Sequence, residues 1–129
     1  MDRKTFLKLS ATTVAGASML PGCGLFDEPE MLIDSVEQLE QSAFTITKFN
    51  RKKIMVTKLD GEWVIFSLIC RHKKCTVAYE AEIEEFACPC HEGRYDKLGR
   101  VLDGPPPGPL RRFKWEIRAG KLWVLNEFA

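Results

Sequence analysis

The stretch Cys70-Arg71-His72-Lys73-Lys74-Cys75, followed after twelve residues by Cys88-Pro89-Cys90-His91, decides how the rest of the chain is read. Both histidines of the 129-residue chain and four of its five cysteines fall in these two short clusters. Thiolates and imidazoles together suit zinc, iron or iron–sulfur centres, because both give up a proton readily when a cation draws on them. Cys70 and His72 stand two residues apart, so both side chains face the same way from an extended loop. Cys88 and His91 offer a second such pair. Two loops, each giving one sulfur and one nitrogen, could clasp a binuclear centre from both sides. The same four ligands could hold a tetrahedral structural zinc, and ligand identity alone does not separate the two. A c-type haem is excluded on spacing, since Cys88-Pro89-Cys90-His91 is one residue short of Cys-x-x-Cys-His. A catalytic Cys–His pair would not need two of everything.

Outward from the clusters the pattern is β. Ala43–Phe49 and Lys53–Leu59 read as strands joined by a turn at Asn50-Arg51. Asp60-Gly61 is a two-residue hairpin signal leading into Glu62–Ile69, a run apolar on both faces and therefore a central, doubly covered strand. Near the C-terminus Phe113, Trp115 and Ile117 alternate with charged residues, the mark of a half-buried strand. Ala119-Gly120 turns that strand into Lys121–Leu125. Before these strands, Ser35 caps a short helix with Gln38 as its capping-box partner. Strands thus flank a central region, about 70–110, and the expected fold is all-β: a small antiparallel sandwich or barrel with an inserted lobe.

Cys-x-His, fifteen residues, then Cys-x-x-His resembles the signature of Rieske iron–sulfur proteins. In that family one iron of a 2Fe–2S cluster has two Cys ligands and the other two His. The resemblance implies one cluster per chain, with Cys70 and Cys88 on one iron and His72 and His91 on the other. It makes Cys75 and Cys90 the disulfide that links the two loops in exported, quinol-oxidising and related Rieske proteins. Gly104-Pro105-Pro106-Pro107-Gly108-Pro109 is similar to the proline loop that covers the cluster in these proteins. Proline fixes the backbone and needs no partner for an N–H, so such a loop makes a stiff lid. Tyr95 falls where the family has a tyrosine that donates to a cluster sulfur, here expected to be that of Cys70. Gly93 falls where high-potential members have a serine donor, which predicts a potential below theirs. Quinol-oxidising members typically carry Leu-Gly after the first histidine. Here Lys73-Lys74 stand there, with Arg71 and Arg94 near the ligands, a set of cations suited to docking an acidic partner.

Composition bounds the setting. Hydrophobic residues make up 45% and charged residues 29%, an ordinary globular mix, and the net charge of +1 gives no bulk nucleic-acid footprint. No stretch approaches about 20 consecutive apolar residues. Residues 1–22 have the charge-then-apolar layout of an export leader. Arg3-Lys4-Thr5-Phe6-Leu7-Lys8 resembles a twin-arginine signal with lysine at the second arginine, and Sec export would use a similar leader. Leu20-Pro21-Gly22-Cys23 resembles a lipoprotein cleavage site with Cys23 lipidated. The division expected is a leader over 1–22, a tether over 23–34 and the Rieske-type domain over 35–129. The function implied is one-electron transfer by an exported, membrane-tethered carrier or small subunit on the periplasmic or extracytoplasmic face. Its partner would be a cytochrome or the large subunit of an oxidoreductase. Two alternatives share the motif: the Rieske subunit of a cytochrome bc-type complex, working with a quinol-binding cytochrome, and the small subunit of a molybdenum oxidase such as arsenite oxidase.

Overall fold

The computed structural model describes residues 26–71, 74–90 and 92–129. The expected leader and Cys23 lie outside these residues. The chain forms β1 (Glu30–Ser35), α1 (Val36–Leu39), β2 (Phe44–Phe49), β3 (Lys52–Leu59) and β4 (Glu62–Ser67). Four short strands follow, β5 (Ala78–Glu80), β6 (Glu85–Ala87), β7 (Arg94–Tyr95) and β8 (Val101–Asp103). Then come β9 (Arg112–Arg118) and β10 (Lys121–Phe128). The long strands make a six-stranded antiparallel sheet in the order β1-β10-β9-β4-β3-β2. The short ones make a four-stranded sheet, β5-β6-β7-β8. The large sheet curls until its two edges face each other: Met31–Asp34 of β1 and Thr45–Thr47 of β2 line one cleft. The fold is therefore all-β, a nearly closed barrel carrying an inserted lobe, as the sequence predicts.

The turns follow from backbone chemistry. Asp60 and Gly61 have φ of 52° and 81°, the paired left-handed geometry that suits a tight hairpin between twisted strands. Asn50 and Arg51 turn in the same way, with φ of 51° and 71°. Ser35 caps α1 by accepting the Gln38 N–H, but the capping box is only half formed, since the Ser35 N–H donates to Asp34. The expected tether ends early. Glu30–Ser35 is a strand paired with β10, because Met31 and Ile33 alternate inward against the barrel core. The last strand also runs further than expected, to Phe128. The predicted central strand stops at Ser67, where the chain leaves the sheet for the loop that carries Cys70. Ile117 is 47% exposed, because β9 outruns the core that holds Phe113 and Trp115.

Two cores share β3 and β4. Ile54, Val56, Trp63 and Ile65 face into the barrel with Leu122 and Val124. Met55, Val64 and Phe66 face the other way, against Val77, Phe86 and Tyr95 of the lobe. This period-two division is the doubly covered strand that the sequence predicts. A chain of rings fixes the lobe to the barrel: Phe44 on Tyr79 at 5.0 Å, Tyr79 on Phe86 at 4.8 Å and Phe86 on Phe66 at 5.2 Å between centroids.

Candidate metal centre

Cys70 lies three residues beyond β4, and Cys88 directly follows β6. Both side chains sit in the lobe core, 0% and 1% exposed. The two cysteines occupy the same place in two matching turns. In the first, the Cys70 N–H donates to the Cys75 carbonyl at 2.7 Å and the Lys74 N–H to the Cys70 carbonyl at 2.9 Å. In the second, the Cys88 N–H donates to the Gly93 carbonyl at 2.8 Å and the Glu92 N–H to the Cys88 carbonyl at 3.0 Å. Lys74 and Glu92, four residues after their cysteines, both have positive φ, 60° and 56°. Neither residue type favours that region, so the turn is imposed by its surroundings. The sequence hid this pair, since neither position carries glycine or asparagine.

Cys75 and Cys90 form a disulfide that joins the two turns, as the resemblance implies. By chain entropy alone a closed loop of this length is worth about 3 kcal/mol. The expected ligands His72 and His91 and the expected docking residue Lys73 lie outside the described residues.

The proline loop sits against the second turn. A Cβ on Gly104 (φ 93°) would meet the Gly93 Cα at 2.7 Å, and one on Gly93 would meet the Pro106 Cγ at 2.9 Å. Glycine at 93 therefore has a packing reason beside the missing hydroxyl: Pro106 occupies the space a serine would need. Pro106 is buried, while Pro105 and Pro107 are exposed. From the first turn, the Arg71 guanidinium lies on Gly108, its Nη1 3.4 Å from the Pro109 carbonyl. The lid thus touches both turns.

Tyr95 stands where the sequence predicts, its hydroxyl 3.6 Å from the Cys70 sulfur. Burial, then the contact with Cys70, pushes this phenol above its ordinary value, so it stays protonated and able to donate. Among the expected docking residues, Arg94 is held within the lobe. Arg94 donates to Glu85 at 2.8 Å and to Glu80 at 2.7 Å, so its charge is neutralised by the lobe's own strands. Arg71 and Lys74 are exposed, as expected. Two buried soft donors at the ends of equivalent turns, under a stiff lid and beside a phenol donor, fit a thiolate-ligated metal group.

Residues 30–114 match the family model of the Rieske [2Fe-2S] domain. The cytochrome b6-f complex iron-sulfur subunit of Chlorobaculum tepidum is 32% identical over 95 residues, 74% of this chain and 52% of that protein. The menaquinol:cytochrome c reductase iron-sulfur subunit of Geobacillus thermodenitrificans is 38% identical over 68 residues, 50% of this chain and 40% of that one. The chain spans about half the length of the first of these relatives. Among solved structures, the plasma membrane Rieske protein of Synechocystis PCC 6803 superposes with a TM-score of 0.59 at 20% identity. That match covers 73% of this chain and 97% of that one. The soluble domain of Rieske protein II from Sulfolobus acidocaldarius gives 0.60 at 15% identity, over 75% and 77%. At these identities the structural likeness speaks for the fold.

Proposed function

This chain belongs to the Rieske [2Fe-2S] domain family, whose cofactor is a 2Fe–2S cluster, and on that premise we propose that it is a one-electron carrier or small subunit of a redox complex. The Cys70 and Cys88 thiolates would hold one iron and the His72 and His91 imidazoles the other. The cluster, when bound, takes up and gives back a single electron. The single observation that carries this reading is the pair of matching turns that bury Cys70 and Cys88 and are tied by Cys75–Cys90. Tyr95 donates to the Cys70 sulfur and so favours the more negative, reduced state. Pro106 and its neighbours keep water from the thiolate side. With the cluster bound, the His72 and His91 imidazoles would couple electron uptake to pH through their outer N–H groups. The partner is a redox protein, met through Arg71, Lys73 and Lys74. The domain acts on an extracytoplasmic membrane face, with residues 1–22 as leader and Cys23 as the lipid attachment point. Among the described residues no helix is long and apolar enough to cross a membrane.

A second reading makes the chain the Rieske subunit of a cytochrome bc-type complex. The names of the two relatives above favour it. The test is an EPR-monitored redox titration of the full chain at several pH values. A rhombic signal in the reduced state, with a potential that falls at alkaline pH, is the expected result. Stoichiometric zinc with no paramagnetic signal at any potential would overturn the reading.

A further inference from the structure

The barrel is open at the end nearest the first cluster loop, and the opening is a cavity of about 440 Å³. Its depth is apolar: Phe49 and Ile54 are buried there, and Phe113 packs beside them. Ser67, the last residue of β4, also lines it. Ser67 continues the face that carries Trp63 and Ile65 into the barrel, and it is only 6% exposed. Its hydroxyl has no hydrogen-bond partner among the described residues, unlike that of the other buried polar residue, Thr57, which donates to the Ala43 carbonyl. Lining an open cavity, the hydroxyl is left to water or to a ligand.

The rim of the same cavity is cationic. Lys52 opens β3, Arg111 immediately precedes β9, and Arg71 and Lys74 come from the cluster loop. Among the described residues none of these four is ion-paired with a carboxylate. Arg111 lies over the Phe128 ring at 4.8 Å. The acid in the lining, Asp27, is paired with Arg51 at 2.8 Å and leaves the rim charge standing. Ser67 ends its strand beside Arg111, whose carbonyl accepts the Ser67 N–H at 2.8 Å, so the hydroxyl stands at the basic rim with Phe49, Ile54 and Phe113 behind it. Barrel mouths are a common place for such sites, and the volume is in the range of small-ligand pockets.

We propose that the barrel mouth binds a small amphipathic carboxylate. Its alkyl or aryl group packs on Phe49, Ile54 and Phe113. Its carboxylate accepts from the Ser67 hydroxyl and faces Lys52 and Arg111. An acidic protein segment would find the same rim charge but would leave the apolar lining of Phe49, Ile54 and Phe113 unfilled. Cys70 also lines the cavity, but none of the contacts named here falls on its sulfur.

The test is calorimetric titration of hexanoate into the full chain carrying its cluster, with the Ile54 methyl signals followed by NMR. The expected result is saturable one-site binding that shifts Ile54 and is displaced by phenylacetate, with no response to hexanol or chloride. Ser67→Ala weakens binding several-fold. Lys52→Gln with Arg111→Gln weakens it at least about tenfold, as loss of charge-assisted contacts would. Should the double variant not fold, Lys52→Gln alone changes one exposed side chain and must still weaken binding about threefold. A linear, unsaturable response, or unchanged affinity in a folded Lys52→Gln variant, overturns the proposal. The EPR signal recorded on the same samples keeps failure of this site distinct from failure of the cluster assignment.

Discussion

Tyr95 has its ring fully buried among the lobe residues and its one polar atom 3.6 Å from the Cys70 sulfur. Tyr95→Phe keeps the ring and removes the donor. If that bond favours the reduced state by about 1 kcal/mol, the midpoint potential falls by about 40 mV, read in the same EPR titration. An unchanged potential would mean the hydroxyl does not donate to sulfur. Two glycines give a second comparison. Gly104 and Gly120 both have positive φ, 93° and 76°, but only a Cβ at 104 meets backbone, the Gly93 Cα at 2.7 Å. Gly120→Ala should cost about 1 kcal/mol for its left-handed alanine. Gly104→Ala should cost at least about 1 kcal/mol more, because two backbone segments must part. Urea unfolding midpoints measure both, and equal losses would show that the close approach has no energetic weight. The sequence pointed to Gly93 through its missing hydroxyl. That Pro106 fills the space is a contact between segments far apart in the chain, and no local pattern carries it.

Between β7 and β8 the turn 96–100 is closed by Asp96, whose carboxylate accepts from the Leu98 and Arg100 N–H groups and from the Arg100 guanidinium. Burial raises its pKa, but the Arg100 and Leu98 bonds outweigh burial and hold the carboxyl below its usual range. Folding thus favours the ionised form. The stability it contributes is full above the unfolded-chain value near 3.9 and is lost as pH falls through the lower folded value. Asp96→Asn should therefore lower stability evenly from about pH 5 to about pH 8, with the gap to the parent closing below about pH 4. Thermal unfolding across pH measures it, and a gap that persists in acid would exclude the charge as its source. The longer elements were legible: Asp60-Gly61 and the apolar run after it mark a hairpin and a central strand wherever they occur. The lobe strands were not, since β7 has two residues and β5, β6 and β8 three each, too short to show a period. β1 escaped because Asp34 and Glu30 make its six residues look like solvated linker, and only pairing with β10 gives them a face.

Across the whole molecule the barrel and the lobe are coupled through β3 and β4, which give one face to each core. Phe66 is the sharpest probe of this coupling: fully buried, on the lobe side, with its ring 5.2 Å from Phe86. Phe66→Ala should cost about 3–5 kcal/mol. In a domain of this size that lowers Tm by at least about 10 °C. Because the same core holds Cys70 and Cys88, bleaching of the cluster in the visible and loss of far-ultraviolet dichroism should coincide on heating, in the variant as in the parent. Separate transitions would make the lobe an independent unit. Cys70 and Cys88 were singled out by the spacing of cysteine and histidine together, whereas the sharing of one sheet between two cores is a property of the curled topology. That curl has one further result at its edge. Arg118 reaches across the Trp123 ring, 4.8 Å from its centroid, and grips both oxygens of Glu30 at 2.8 and 2.9 Å. Glu30 is the first residue of β1, at the rung opposite Leu125. In mechanical terms, a pull on the chain ahead of Glu30 enters the barrel through that rung. Directed along β1, the force is shared in shear by the whole ladder to β10; directed sideways, it must first tear the guanidinium from Glu30 before the strand can peel.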